Sequence, residues 1–517
     1  MKYILALDAG TGSVRAVVFD ISGNQIFESA KEYVHKINEK YPGSIDFDIE
    51  NNWKLICDCI KDVLNKVSAD DIISISTTSM REAFVLYDEK KQPIWACSNV
   101  DARAYEETIE LRKNPSLEKD IYLLSGQTFS LCAIPRLLWI KRHEPDIYNR
   151  ACYLNMISDW IAAELGADIF IDPSNGSTLG IFNLENRMFD KNILEYVDIE
   201  SKFINSKVAE SGTIIGEVSE KASKETGLKK GTKIVMGGGD ASLGCIGVGS
   251  VNYNDAVILG GTFWQQEVNI PEAITDKKAR IRVNCGSLKK LWQAEGIAFY
   301  PGLVARWFRD AFCEDLKVIA KEKNTNAYKL LSEKTVDIPA GSYGIIPIFS
   351  DQMNYFSWKH AAPSFINMTI YPEKTNRYSL FKSIMENAAV VSYLNIKMIE
   401  DFANLNLEKV TFAGGASKDP IWCQILADVL QLNVETTEVK EATALGAAMF
   451  ASVGCGLYKD IYEAADVCVK KSRTFYPNKN NRKVYEDLIS KFKEVYRVQL
   501  ELADKNITTH MWKAAGE

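Results

Sequence analysis

Apolar and polar residues alternate over short stretches at the start of the chain, and the spacing then lengthens. Residues 3–7, 14–19 and 25–29 read as three strands. They are joined by Asp8-Ala9-Gly10-Thr11-Gly12-Ser13 and Ser22-Gly23-Asn24, which predicts a meander. Over 48–67, Trp53, Ile56, Ile60, Val63 and Leu64 fall on one helical face. A strand over 72–77 follows, then Met80-Arg81-Glu82, then strands over 83–87 and 93–97. Helices are predicted over 133–142 and 158–165, with a strand over 152–156 between them; the turn-rich run 172–177 is expected to loop toward a cleft.

The second half predicts a helix over 296–312, with Trp307 and Phe308 in the core, and a long helix over 380–396. A strand over 410–413 ends at Gly414-Gly415-Ala416-Ser417, and Asp419-Pro420 opens a helix. The small residues from Glu441 to Ala448 predict a helix packed closely on a neighbour, and 485–502 is an amphipathic cover.

Between the halves lies a strand over 234–236, read as ending in a Gly237-Gly238-Gly239 turn that presents Asp240. On this stretch alone, a functional carboxylate and a helix cap fit equally well. Residues 257–262 repeat the apolar strand and Gly-Thr turn of 4–11. Two related halves, each opening with such a hairpin, suggest a nucleotide held between them. The boundary is placed near residue 248, giving domains 1–248 and 249–517.

Composition narrows the picture. A chain of 517 residues allows two to four domains at ~150 residues each. A net charge of −7 without a basic block argues against nucleic acid or an anionic membrane as partner. No apolar run reaches the ~18 residues of a membrane span, and a strand starting at Tyr3 leaves no expected signal peptide. None of the eleven cysteines is in CxxC spacing and the four histidines are scattered. That pattern predicts buried free thiols in a reducing cytoplasm rather than zinc or disulfides.

Asp8-x-Gly10-Thr11-x-Ser13 sets a carboxylate before backbone N–H groups and hydroxyls that can surround a phosphate. It is not a Walker loop, and taken alone it fits a plain hairpin. Arg81-Glu82 and Asp101-x-Arg103 offer paired donors and acceptors for a polyhydroxylated ligand, or else a surface ion-pair network. Asp159, in the first turn of a helix, suits the helix dipole as well as it suits a ligand.

Taken in order, Asp8-x-Gly10-Thr11-x-Ser13-x-Arg15, Arg81-Glu82, Asp101-x-Arg103, Gly237-Gly238-Gly239-Asp240, Gly261-Thr262, Gly414-Gly415 and Glu441-Ala442-Thr443-Ala444-Leu445-Gly446 resemble the FGGY carbohydrate kinases. The resemblance implies an α/β fold of two duplicated actin-like (ribonuclease-H-like) ATPase domains around a central cleft. It also implies transfer of the γ-phosphoryl group of ATP to a hydroxyl, with Mg²⁺. Asp240 would be the general base and a metal neighbour, and Asp8 would hold Mg²⁺. Thr11, Gly12, Ser13, Gly261 and Thr262 would hold phosphates, and Gly414, Gly415 and Ala416 the adenosine. Arg81, Glu82, Asp101, Asp159 and Asp240 would grip the substrate.

Arg136 stands where the family usually has Lys, and Asn367 where it usually has Gly. These departures, with Gly261-Thr262-Phe263-Trp264-Gln265-Gln266 and Thr508-Thr509-His510-Met511-Trp512, resemble the branch acting on (S)-4,5-dihydroxypentane-2,3-dione, a linear signal precursor. A pentulose or polyol kinase is the alternative within the family, and a non-kinase actin-fold ATPase the alternative outside it. Some members are controlled by phosphotransferase-system regulatory proteins, a partner that no motif here decides.

Overall fold

The computed structural model describes residues 1–517 except Val34 and Gly516. Two sheets form its frame. The first contains β1 (Tyr3–Ala9), β2 (Ser13–Asp20), β3 (Gln25–Glu32), β4 (Ile72–Ser79), β5 (Ile214–Glu217) and β6 (Lys233–Gly239), in the order β5-β6-β4-β1-β2-β3. The second contains β7 (Ala256–Gly260), β8 (Trp264–Ile270), β9 (Arg282–Cys285), β10 (Trp292–Ala298), β11 (Lys409–Gly414), β12 (Asn433–Thr437) and β13 (Lys471–Phe475), in the order β9-β10-β8-β7-β11-β12-β13.

The two orders repeat one plan. β1 runs antiparallel to β2 and parallel to β4, which runs parallel to β6. Likewise β7 runs antiparallel to β8 and parallel to β11, which runs parallel to β12. The hairpin β1–β2 thus corresponds to β7–β8, so the short repeat at 4–11 and 257–262 reflects a duplicated architecture.

Strand alternation assigns the faces of the first sheet. Leu5 and Leu7 pack with Ile56, Ile60 and Trp160 from helices Ile49–Leu64 and Ile157–Leu165. Ile4 and Ala6 point the other way, onto Leu445, Ala448 and Ile461. Those residues belong to helices Ala442–Gly454 and Ile461–Cys468, which come late in the chain yet cover the first sheet. Helix Ala442–Gly454 crosses helix Asp240–Gly247 so closely that a methyl at Gly446 would sit on the carbonyl of Leu243, and one at Gly247 on that of Ala442. The small residues from 441 onward serve this contact.

Several expectations need correction. Gly237, Gly238 and Gly239 are the end of strand β6, not a turn; a Cβ at Gly237 would strike the carbonyl of Thr77 in β4. Asp240 is the first helical residue rather than the cap, which is Gly239. Residues 296–298 end strand β10, and the helix begins at Pro301 (Pro301–Phe312). Phe308 is buried there, but Trp307 is 43% exposed. Run 172–177 is not an open loop: Asp172 caps the short buried helix Pro173–Gly176. All eleven cysteines are free thiols, and among the described residues no helix is long and apolar enough to cross a membrane.

Candidate active site

The ends of β1, β4, β6 and β7 converge on one cleft. β6 delivers Asp240 at the start of its helix, where its Oδ1 accepts the Ala241 N–H at 2.7 Å and lies 3.8 Å from Arg81 Nε. Its side chain keeps 38% of its surface open. Burial of the site pushes this carboxyl up to about 6, outweighing the pull of Arg81. Asp8, near the end of β1, is pushed up to about 7, first by burial and then by the Asp240 carboxylate, against Arg15. The Asp240 carboxylate thus raises the proton affinity of Asp8, and two neighbouring acids of this kind suit a divalent cation. Among the described residues no three His, Cys, Asp or Glu side chains form a cage. An ion here would draw its other ligands from phosphate and water, as Mg²⁺ commonly does.

The two hairpins face open space. A Cβ at Gly12 would meet nothing within 4 Å, and one at Gly261 only the Phe263 carbonyl at 3.5 Å. Asn99 Nδ2 donates to Thr11 Oγ1 at 3.0 Å, which fixes the first hairpin. Arg15 Nη1 donates to Glu441 Oε2 at 2.6 Å, so two distant motif residues meet beneath it.

Beside Gly261 and Thr262 opens a cavity of about 780 Å³, a size that suits a nucleotide-like ligand. Gly415 and Ala416 line it, whereas Gly414 lies behind, at φ 91°, where a Cβ would approach the Gly260 carbonyl to 2.7 Å. Arg306, Asn326, Tyr328, Lys329 and Lys418 also line it. Arg306 opens a stretch that shares the resemblance, but no motif marked the other four, which reach the cavity only by folding.

Arg81 and Glu82 sit at the other end of the cleft. Glu82 adopts a left-handed backbone, φ 60°, and its carbonyl accepts from Arg136 Nη2 at 2.7 Å. Arg136, the departure from Lys, is thus a brace for the Arg81–Glu82 loop. Asn367 adopts φ 62°, which accounts for the family's usual Gly there, since Asn tolerates that region better than most side chains.

Two expected grips are walled off. Asp101 is buried, with its Oδ2 taken by the Ile45 N–H at 2.7 Å and Arg103 Nε at 2.8 Å and its Oδ1 by the Arg103 N–H at 3.4 Å. Asp159 is also buried; it accepts the Met156 N–H and the Ser158 hydroxyl, both at 3.3 Å, and burial pushes it well above the carboxylate range. Both shape the site from behind instead of opening into it. Sequence reasoning also missed Arg282 and Glu295, whose buried side chains reach Glu82 and Arg81 from the second sheet.

Comparison with known proteins gives the family. The model for the N-terminal domain of the FGGY family of carbohydrate kinases matches residues 3–247, and the C-terminal model matches 273–455. The chain belongs to this family and is a phosphotransferase acting on an alcohol group. It is 48% identical, over 100% of its length and 98% of the relative's, to a protein of Enterobacter sp. (strain 638) named autoinducer-2 kinase. A Yersinia enterocolitica protein of the same name is 46% identical over 99% of this chain and 98% of its own. Among solved structures, ligand-bound xylulose kinase from Lactobacillus acidophilus matches with TM-score 0.84 at 20% identity, over 97% of this chain and 99% of that one. Plasmodium falciparum glycerol kinase with ADP matches at TM-score 0.81 and 18% identity, over 96% and 98%. At such identities these structures speak to the fold alone.

Proposed function

We propose that this protein transfers the γ-phosphoryl group of ATP to the terminal hydroxyl of (S)-4,5-dihydroxypentane-2,3-dione, the linear precursor of autoinducer-2. The observation that carries this reading is the 46–48% identity, end to end, with relatives named autoinducer-2 kinase. The chemistry of the site supports it. Asp240 accepts the hydroxyl proton while the oxygen attacks the γ-phosphorus, and the bond to the β-phosphate oxygen breaks to leave ADP. Arg81 is a donor suited to carbonyl oxygens, and Glu82 an acceptor suited to hydroxyls. Thr11, Gly12 and Ser13 face Gly261 and Thr262 across the terminal phosphates, and the cavity beside Gly415 and Ala416 takes the nucleoside. Asp8 and Asp240 would hold Mg²⁺, which neutralises phosphate charge when bound.

On this reading residues 1–248 carry the acceptor and base and 249–517 the nucleotide, in the cytoplasm, with closure of the cleft excluding water. The test is ADP release with Mg-ATP against the dione, glycerol, xylulose and ribulose. Preferred turnover of the dione is the expected result; preference for a pentulose would reassign the substrate while leaving the base in place.

A further inference from the structure

Three strands of the second sheet set a row of charged side chains against the first domain. Glu267 in β8 pairs in register with Glu295 in β10, and Glu295 with Arg282 in β9, so all three lie on one face. All are buried. Glu295, at 0% side-chain exposure, takes a two-pronged contact from Arg81: Nη1 to Oε2 at 2.6 Å and Nη2 to Oε1 at 2.9 Å. Asn284 Nδ2 donates to Oε2 as well, at 3.1 Å. Arg282 lies 3.9 Å from Glu295 and 2.6 Å from Glu82. The result is an alternating chain, Arg81–Glu295–Arg282–Glu82, that begins and ends on the acceptor-side dipeptide but takes its middle from the other domain.

We propose that Glu295 is a positioning residue for phosphoryl transfer, acting through Arg81. This rests on the kinase reading above but not on which hydroxyl compound is the acceptor. By filling the Nη1 and Nη2 edge of Arg81, Glu295 turns only Nε toward Asp240. The guanidinium then stays fixed beside the base without closing on it as a two-pronged ion pair. Glu267 does not compete for Arg81: its carboxyl oxygens have no hydrogen-bond partner, and burial, then Glu295, push it well above the carboxylate range. Glu295 is held below its usual range because Arg81 and Arg282 outweigh its burial, so it carries the charge of the pair. The other charged groups around Asp240 are Asp8 from β1 and Glu82. Since Glu295 belongs to the nucleotide side, the acceptor grip is complete only when both domains are in place.

The test is a double-mutant cycle on Arg81→Lys and Glu295→Gln, read with whichever acceptor the wild-type protein phosphorylates best. Glu295→Gln should lower kcat/KM for the acceptor on the order of 10²-fold, as expected for removing one partner of a buried, hydrogen-bonded charge pair. The KM for ATP should stay near wild type. Lysine cannot make the two-pronged contact, so in the Arg81→Lys background the same change should add less than about threefold. Full multiplication of the two losses, wild-type acceptor constants in Glu295→Gln, or an equal rise in the KM for ATP would each overturn the proposal. Glu295→Asp keeps the charge one methylene short and reads the same cycle if the Gln variant does not fold. Rejection of the dione by wild type would sink the substrate assignment and leave this cycle intact.

Discussion

Gly247 and Gly446 face each other where two helices cross, their backbones too close for a methyl group on either. One helix starts with Asp240, and the other bridges the two halves. Gly446→Ala gains up to ~1 kcal/mol in helix propensity, but overpacking typically costs ~1–3 kcal/mol. The contact is with backbone, which cannot swing aside, so the cost wins. The expected outcome is a melting temperature a few degrees lower and reduced turnover with near-normal nucleotide affinity. An unchanged melting temperature would mean the helices separate freely.

Asp240→Asn removes the proposed proton acceptor and leaves the cavity beside Gly415 and Ala416 untouched. Acceptor-dependent ADP release should fall by about 10²–10⁴-fold, while calorimetric nucleotide affinity changes little. Near-normal turnover in this variant would rule out the base assignment.

The raised carboxyls of Asp8 and Asp240, at about 7 and about 6, make two pH effects of opposite sign. Turnover should fall as pH drops through 7 to 6, because the base becomes protonated. Stability without ligand goes the other way. Folded values above the usual 3.8 mean that the fold binds these protons more tightly than the unfolded chain. Their contribution to stability is therefore fully present below about pH 4 and is lost as pH rises to 7. Mg-ATP replaces the protons, so it should raise the melting temperature more at pH 8 than at pH 5.5. Equal increments in scanning fluorimetry would exclude this ion site.

Gly414 and Gly415 are adjacent but should respond differently. Gly414 has φ 91° and ψ −169°, a region essentially restricted to glycine, so Gly414→Ala should cost roughly 1–3 kcal/mol in denaturant titration. A Cβ at Gly415 would meet nothing within 4 Å and would project beside the cavity. Gly415→Ala should fold normally and raise the KM for ATP severalfold. Equal stability in the two variants would contradict the assigned backbone strain.

The hairpins and Asp240 were legible in the sequence because each stands at a strand end marked by glycine and a short polar residue. β10 was not, and the reason is physical. Gln293 and Glu295 are buried on one face while Ala294 and Ala298 are buried on the other, so the strand shows no apolar-in, polar-out alternation. Residues 296–298 were therefore absorbed into a predicted helix, and with them went the context needed to recognise Glu295. Arg81 and Glu82 were legible as a pair, but their partners lie two hundred or more positions away in Glu295 and Arg282. Asp101 and Asp159 carried the right residue type, and only the folded chain reveals that their oxygens are taken by backbone and neighbouring side chains.

During synthesis the order of the chain works against the first sheet. Ile4, Ala6, Val17, Phe19 and Val235 form an apolar surface whose cover, helices Ala442–Gly454 and Ile461–Cys468, emerges from the ribosome some two hundred residues after β6. Until then that face stays wet and adhesive, so a nascent chain stalled near residue 250 should need a chaperone to stay soluble.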